Sequence, residues 1–77
     1  MNKTAKSRLL YVLQCLWQST DAEHYVTTAE ILAYLKDNGI VCDRKTIPGD
    51  IEILRVIGID VEEERRREMR YSLSSHL

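Results

Sequence analysis

Apolar residues recur at helical spacing in three stretches of this chain and at alternate positions in its last part. In the first stretch, about residues 3–19, the pattern i, i+4, i+7, i+8 is occupied by Leu9, Leu13, Leu16 and Trp17, with Leu10 and Val12 beside them. This spacing puts the apolar side chains on one face of a helix. It predicts an amphipathic first helix over about 3–19 that packs on the core through that face.

The second stretch reads TTAEILAYLKDNG and carries helix signals at both ends. Thr27 followed three residues later by Glu30 is the pattern of a capping box, in which each side chain satisfies a free backbone N–H group. Asn38-Gly39 is a typical helix stop, because glycine readily adopts the left-handed conformation required there. A second helix is therefore predicted over about 28–38.

The third stretch, DRKTIPGDIEILRVIG, predicts a helix over about 44–57. Ile47, Ile51 and Leu54 share one face, and only a few residues separate this helix from the second. The two therefore form a helix–turn–helix pair.

Pro48 and Gly49 conflict with a regular interior of this third helix. Inside a helix a proline costs about 3 kcal/mol and a glycine about 1 kcal/mol. Two resolutions remain open: a helix with Thr46 as its N-cap and Pro48 in the first turn, where the missing N–H is not needed, or a kinked helix that begins at Arg44.

From Ile59 onward the apolar period changes to two. One side of the pattern is Ile59, Val61, Met69, Tyr71 and Leu73, and the other side is Asp60, Glu62, Arg70 and Ser72. Alternation of this kind predicts a β-hairpin over about 59–73 with its turn at 65–67. The competing interpretation is an exposed helix, because Glu62–Arg66 and Glu63–Arg67 are i,i+4 pairs of opposite charge.

Composition restricts the chain to one small soluble domain, residues 1–77. Its 77 residues are 44% hydrophobic and 30% charged, which is ordinary for a globular protein. No run approaches the roughly 18 apolar residues that a membrane span needs. Cys15 and Cys42 form no CxxC motif and follow no secretory signal, so two buried free thiols and a cytoplasmic location are expected. The expected fold class is mainly α with a small β-hairpin, that is, α+β.

Charge is distributed unevenly, although the net charge is only −1. Residues 65–67 are three consecutive arginines, preceded by the three glutamates 62–64 and followed by Glu68. Anion binding depends on such local patches more than on the total charge. Whether this run is a working surface or a solvated charged stretch depends on where the fold puts it.

Catalytic and metal-binding patterns are missing from the sequence. His24 and His76 have no second ligand at metal-binding spacing, and no glycine-rich phosphate loop occurs. We therefore expect neither an enzyme nor a cofactor or metal.

A helix, a helix–turn–helix pair and a hairpin follow one another in the order of a winged helix–turn–helix domain. The stretch RKTIPGDIEILRVIGIDVEEERRREMRYSL resembles the N-terminal DNA-binding region of bacterial WYL-domain transcriptional regulators and, more distantly, DeoR-type repressors. Their third helix reads R-x-T-[IV]-x-R-D-[IL]-x-x-L, followed by a glycine and a wing that ends in Tyr-x-Leu. The matching positions here are Arg44, Thr46, Ile47, Asp50, Ile51, Leu54, Gly58, Ile59, Tyr71 and Leu73.

The resemblance covers about residues 6–73 and has two departures. Pro48-Gly49 stands where those regulators commonly have Tyr-Arg, so an arginine that would contact DNA is lost. The C-terminal WYL sensor domain is absent from this chain, which is then either a piece of a longer regulator or a stand-alone winged helix.

What the resemblance implies is a transcription-regulating module that binds double-stranded DNA, with its third helix in the major groove. A homodimer is expected, because one small winged helix makes few base contacts. The expected DNA-binding residues are Thr28 at the start of the second helix, the third-helix residues Arg44, Lys45, Thr46, Gly49 and Glu52, and the wing-tip residues Arg65, Arg66 and Arg67 on backbone or minor groove. Asp50 is expected to form an ion pair with a nearby basic side chain instead of contacting DNA. The alternative is a winged helix that docks proteins and has little DNA affinity.

Overall fold

The computed structural model describes residues 5–21 and 23–73. It contains three helices, α1 (Ala5–Ser19), α2 (Thr28–Asp37) and α3 (Thr46–Val56), and three strands, β1 (Val26–Thr27), β2 (Val61–Arg65) and β3 (Met69–Leu73). The strands form one antiparallel sheet in the order β1-β3-β2. This α+β arrangement is consistent with a winged-helix-like fold and confirms the predicted fold class. The predicted first two residues of α1 and His76 lie outside the described residues.

The face by which α1 packs is shifted relative to the predicted one and overlaps it: of the predicted residues, Leu16 is buried and Leu9 and Leu13 are partly buried against the core. Val12, Cys15 and Leu16 are buried, whereas Trp17 is 48% exposed. The spacing i, i+4, i+7, i+8 does hold, but it starts at Arg8 and not at Leu9. The sequence pattern hid this start because Arg8 is charged and reaches the interior through an ion pair.

The capping box that begins α2 is confirmed. The backbone N–H of Glu30 donates to Thr27 Oγ1 at 3.1 Å, and the backbone N–H of Thr27 donates to Glu30 Oε1 at 3.0 Å. The helix ends at Asp37, and Gly39 then adopts a positive φ of 81°. A glycine is suited to this position because side chains disfavour that conformation.

The start of α3 agrees with only part of the prediction. The helix begins at Thr46 and has Pro48 in its first turn, so a kinked helix beginning at Arg44 is wrong. The predicted cap is wrong as well, because Lys45 occupies the N-cap position and makes no side-chain capping bond. Asp43 organises the preceding turn instead: its Oδ1 accepts from Lys45 N at 3.1 Å, and its carbonyl accepts from Thr46 N at 2.9 Å. Aspartate commonly nucleates such turns.

The hairpin is confirmed, and the competing helix is wrong. Val61 pairs with Leu73 and Arg65 pairs with Met69, so the connection is 66–68, one residue later than predicted. Ser72 was expected on the solvent side but is buried at 1% exposure. It lies near the end of α1, where the next residue, Leu73, donates its N–H to Thr20 Oγ1 at 3.0 Å.

Strand β1 was missed, because no strand was predicted between the first and second helices. It has only two residues, and they pair with Tyr71 and Arg70 of β3. A strand this short has no recognisable alternation of its own. Its pairing with a distant part of the chain makes β3 the central strand of the sheet.

Both cysteines are free, as expected, with Cys15 buried and Cys42 only half-buried. Burial raises the pKa of the Cys15 thiol to about 11. None of the helices in the described ranges has the length and apolar content required to cross a membrane.

Candidate nucleic-acid interface

Helix α3 is held against α1 by an ion pair with two hydrogen bonds. Arg8 Nε donates to Asp50 Oδ2 at 2.7 Å, and Arg8 Nη2 donates to Asp50 Oδ1 at 3.0 Å. The Asp50 side chain is only 4% exposed. The expectation that Asp50 pairs with a basic side chain is therefore confirmed. The pair fixes the inner face of α3 and leaves its opposite face outward.

A concave surface lies between the N-terminus of α3 and the tip of the β2–β3 hairpin, which we call the cationic cleft. It has a volume of about 320 Å³ and is lined by Thr28, Arg44, Lys45, Pro48, Arg65, Arg66, Arg67, Glu68, Met69 and Tyr71. Five of these side chains are cationic and one is acidic. Six of the nine residues predicted to bind DNA thus meet at one surface, although they come from three separate parts of the sequence.

The floor of the cationic cleft is built by β3 and the first residue of α2. Thr28 Oγ1 donates to the carbonyl of Met69 at 3.4 Å. Tyr71 is 2% exposed, and burial raises the pKa of its hydroxyl. Thr28 is also buried, so it helps to position β3, the strand that directly follows the arginines and Glu68 in the hairpin.

Cations on the rim of the cleft differ in their partners. Arg44 Nη2 lies 3.9 Å from Glu68 Oε2, and the Arg44 side chain remains 59% exposed. Arg66 bonds Glu64 through Nε, and this bond lowers the pKa of the Glu64 carboxyl. Within the described ranges, Lys45, Arg65 and Arg67 form no ion pair and are exposed. These three are the cations most available to an incoming anion.

The other three predicted residues lie outside the cleft. Thr46 is half-buried, whereas Gly49 and Glu52 are exposed on the outer face of α3. A Cβ atom added to Gly49 would have no heavy atom within 4 Å, so this part of the helix surface is open. Glu52 Oε2 lies 3.7 Å from Arg55 Nη1, which partly offsets its charge.

Arg55 connects the end of α3 to the base of the hairpin by hydrogen bonds, a role that was not predicted from the sequence. Its Nε and Nη2 donate to the Val61 carbonyl at 3.2 and 3.0 Å, and Nη2 also donates to Glu63 Oε1 at 2.6 Å. The hydrogen bond to Glu63 raises the pKa of the guanidinium. Arg55 therefore orients the hairpin relative to α3, on the side away from the tip. No local sequence pattern identifies Val61 or Glu63 as a partner of Arg55.

Three apolar side chains are exposed beside Glu52 at the end of α3 and at the residue that follows it. Ile53, Val56 and Ile57 are 47%, 77% and 63% exposed. Their i, i+3, i+4 spacing was present in the sequence as a second stripe beside the core stripe. The outward surface of α3 thus changes from cationic near its start to apolar near its end.

Comparison with known families gives one match. The family described as "FokI, D3 domain" matches residues 5–66, which is well over half of the 77 residues. No curated protein and no solved structure matches the chain. The match supports a winged-helix-like DNA-binding domain, in agreement with the fold and the cationic cleft, and gives no support for a WYL regulator. The chain belongs to the FokI D3 domain family.

Proposed function

We propose that this domain binds duplex DNA by holding a stretch of the sugar-phosphate backbone in the cationic cleft. The observation that carries the proposal is the convergence of five cationic side chains and only one acid on that surface. Elsewhere the acids outnumber the bases, since the net charge of the whole chain is −1. The attraction for phosphate is therefore concentrated at one place, which gives the domain a defined orientation on the duplex.

In this arrangement the first turn of α3 enters the major groove. Arg44 and Lys45 contact phosphate or guanine, and the open surface at Gly49 allows a close approach to the groove. Thr46 supports the helix start, and Glu52 accepts from a cytosine amino group. Arg65, Arg66 and Arg67 contact the backbone or the minor groove beside it.

The amount of charge sets the expected salt dependence. If the three wing-tip arginines neutralise about two or three phosphates, they contribute about 2–3 units to the slope of log K against log salt. Arg44 and Lys45 add to this slope. Binding that is mainly electrostatic tolerates many DNA sequences.

The test is a fluorescence anisotropy titration of a labelled random-sequence duplex at salt concentrations from about 50 to 200 mM. The proposal predicts saturable binding at the low end and a steep loss of affinity as salt rises. The absence of binding at low salt would refute it.

A second candidate function is a protein-docking module, and the exposed Ile53, Val56 and Ile57 favour it. Apolar side chains at the surface of a helix that reads DNA gain little beyond thymine-methyl contacts, whereas they suit a protein interface. Burial of these residues against a protein would not require duplex binding. The same titration therefore separates the two candidates.

Some features of the proposed function are independent of the cleft. A role in transcription regulation, a homodimer and a C-terminal sensor domain are implied only by the resemblance to WYL regulators. We include in the proposal that the domain acts by binding and not by catalysis, and that its DNA partner is in the cytoplasm. DNA binding in the cleft requires none of these features.

A further inference from the structure

We propose that Glu68 is an internal competitor for the cationic cleft, which makes the cleft selective for polyanions over single phosphate groups. The inference rests on the proposed DNA-binding function and assigns a specificity-determining residue to the same surface. Glu68 is the one acid among the ten residues that line the cleft. Its carboxylate therefore lies where a ligand phosphate would lie.

The position of Glu68 is set by the hairpin connection. The backbone N–H of Arg66 donates to the Glu68 carbonyl at 3.3 Å, which closes the turn 66–68. From there the Glu68 carboxylate points across the cleft to Arg44 at the start of α3, at 3.9 Å. The contact joins the two walls of the cleft, and the Glu68 side chain remains 35% exposed. A ligand can therefore displace it without rearranging the fold.

Tethering gives this carboxylate an advantage over a small anion. A group attached to the same chain has an effective concentration in about the millimolar range or above. A single phosphate must displace it to reach Arg44 and gains few other contacts. A DNA backbone instead contacts several of the cations at once and releases their counterions, so it overcomes the same competitor.

The exposed ion pair itself is weak. Contacts of this kind between exposed side chains change an equilibrium by at most about fivefold. Removing the carboxylate also removes its repulsion of a phosphate in the same cleft. Together these effects predict an increase in DNA affinity of about three- to tenfold at low salt for Glu68→Gln.

Glu62→Gln is the matched control, because it makes the same change in net charge on the same hairpin. Glu62 is exposed, pairs with Ser72 in the sheet and does not line the cleft. It should change DNA affinity by less than about twofold, since surface charges at a distance are screened by salt. Circular dichroism of all three proteins confirms that each is folded.

Two measurements test the inference. The first is duplex DNA binding by anisotropy at about 50 mM salt, a concentration at which electrostatic contacts are strong. The second does not depend on DNA: inorganic phosphate is titrated at constant ionic strength while the backbone amide resonances of residues 64–70 are followed by NMR. We expect Glu68→Gln to bind duplex more tightly and to show saturable phosphate shifts that the parent and Glu62→Gln lack.

The outcomes separate this inference from the proposed function. If the parent binds duplex but Glu68→Gln binds no tighter and takes up no phosphate, the inference is overturned and the function stands. Equal gains for Glu68→Gln and Glu62→Gln also overturn it, because net charge then explains the effect. If no protein binds duplex but Glu68→Gln alone takes up phosphate, Glu68 does compete for the cleft, but the proposed function and the selectivity for polyanions are both overturned. Failure of every variant in both measurements overturns both.

Discussion

Arg8 near the start of α1 donates two hydrogen bonds to the carboxylate of Asp50 on α3, at 2.7 and 3.0 Å. The pair joins residues far apart in the sequence and fixes the helix that carries Arg44 and Lys45 at its start. The hydrogen bond to Asp50 raises the pKa of the Arg8 guanidinium and outweighs the desolvation by burial, which lowers it. The orientation of the cationic cleft therefore depends on α1, which itself does not line the cleft.

Replacing Asp50 with Asn should reduce the free energy of unfolding by about 2–3 kcal/mol, because it leaves the Arg8 guanidinium without its anionic partner. The effect is below that of a fully buried pair, since the Arg8 side chain is 23% exposed. Asp37→Asn, on the exposed end of α2, is the control and should change stability by less than about 0.5 kcal/mol. Urea denaturation measures both. Equal stabilities for the two variants would contradict the assigned role of Asp50.

Part of the fold could be predicted from the sequence because the signals were local. The capping box of Thr27 and Glu30 and the stop at Gly39 depend on residues within one helix, and α2 agrees with its prediction almost to the residue. The buried stripe of α1 could not be predicted in the same way. It starts at Arg8, and only the distant Asp50 explains why a charged residue belongs there.

The two threonines expected to cap helices should differ in their effect on stability. Thr27→Ala removes the hydroxyl that accepts from the Glu30 N–H and should cost about 1 kcal/mol, whereas the bond from the backbone N–H of residue 27 to Glu30 needs no threonine side chain. Thr46→Ala should cost less than about 0.5 kcal/mol, because the start of α3 has no side-chain cap to lose. Thermal and urea denaturation of the two variants check this order. A larger loss of stability for Thr46→Ala than for Thr27→Ala would support Thr46 as the N-cap of α3, as the sequence predicted.

Gly49 and Gly58 should respond oppositely to the same substitution. Gly49 is helical and open, so Gly49→Ala should stabilise the protein by about 0.5–1 kcal/mol. Gly58 has a φ of 100°, so Gly58→Ala should destabilise it by about 1–2 kcal/mol. Chemical denaturation gives both values. Destabilisation by Gly49→Ala would mean that the first turn of α3 is more closely packed than this structure shows.

The two thiols should react at different rates with a disulfide reagent at pH 8. Cys15 is 2% exposed, and its pKa is raised to about 11, so little thiolate is present and the reagent must await local opening. Burial also raises the pKa of Cys42, but this residue is only half-buried. One fast and one slow phase are expected, and Cys42→Ala should remove the fast phase. A single fast phase for both thiols would contradict the burial of Cys15.

The candidate site could be predicted as a set of residues but not as an arrangement. The arginine run and the start of α3 were recognisable, and the fold brings them together. The ion pair between Arg44 and Glu68 depends on the hairpin register, which places the connection at 66–68 and could not be determined from alternation alone. The role of Arg55 could not be predicted from the sequence either, because its guanidinium donates to a backbone carbonyl of β2.

The central claim is tested most directly by the salt dependence of duplex DNA binding when the cations of the cleft are removed. Against the parent, replacing Arg65, Arg66 and Arg67 with Ala should reduce the log–log slope by about 2–3 units, and Arg67→Ala alone by about 1 unit. Lys36→Ala removes the same charge from the exposed end of α2, outside the cleft, and should leave the slope unchanged. Equal reductions for Arg67→Ala and Lys36→Ala, or an unchanged slope in the triple variant, would contradict a phosphate-binding cleft.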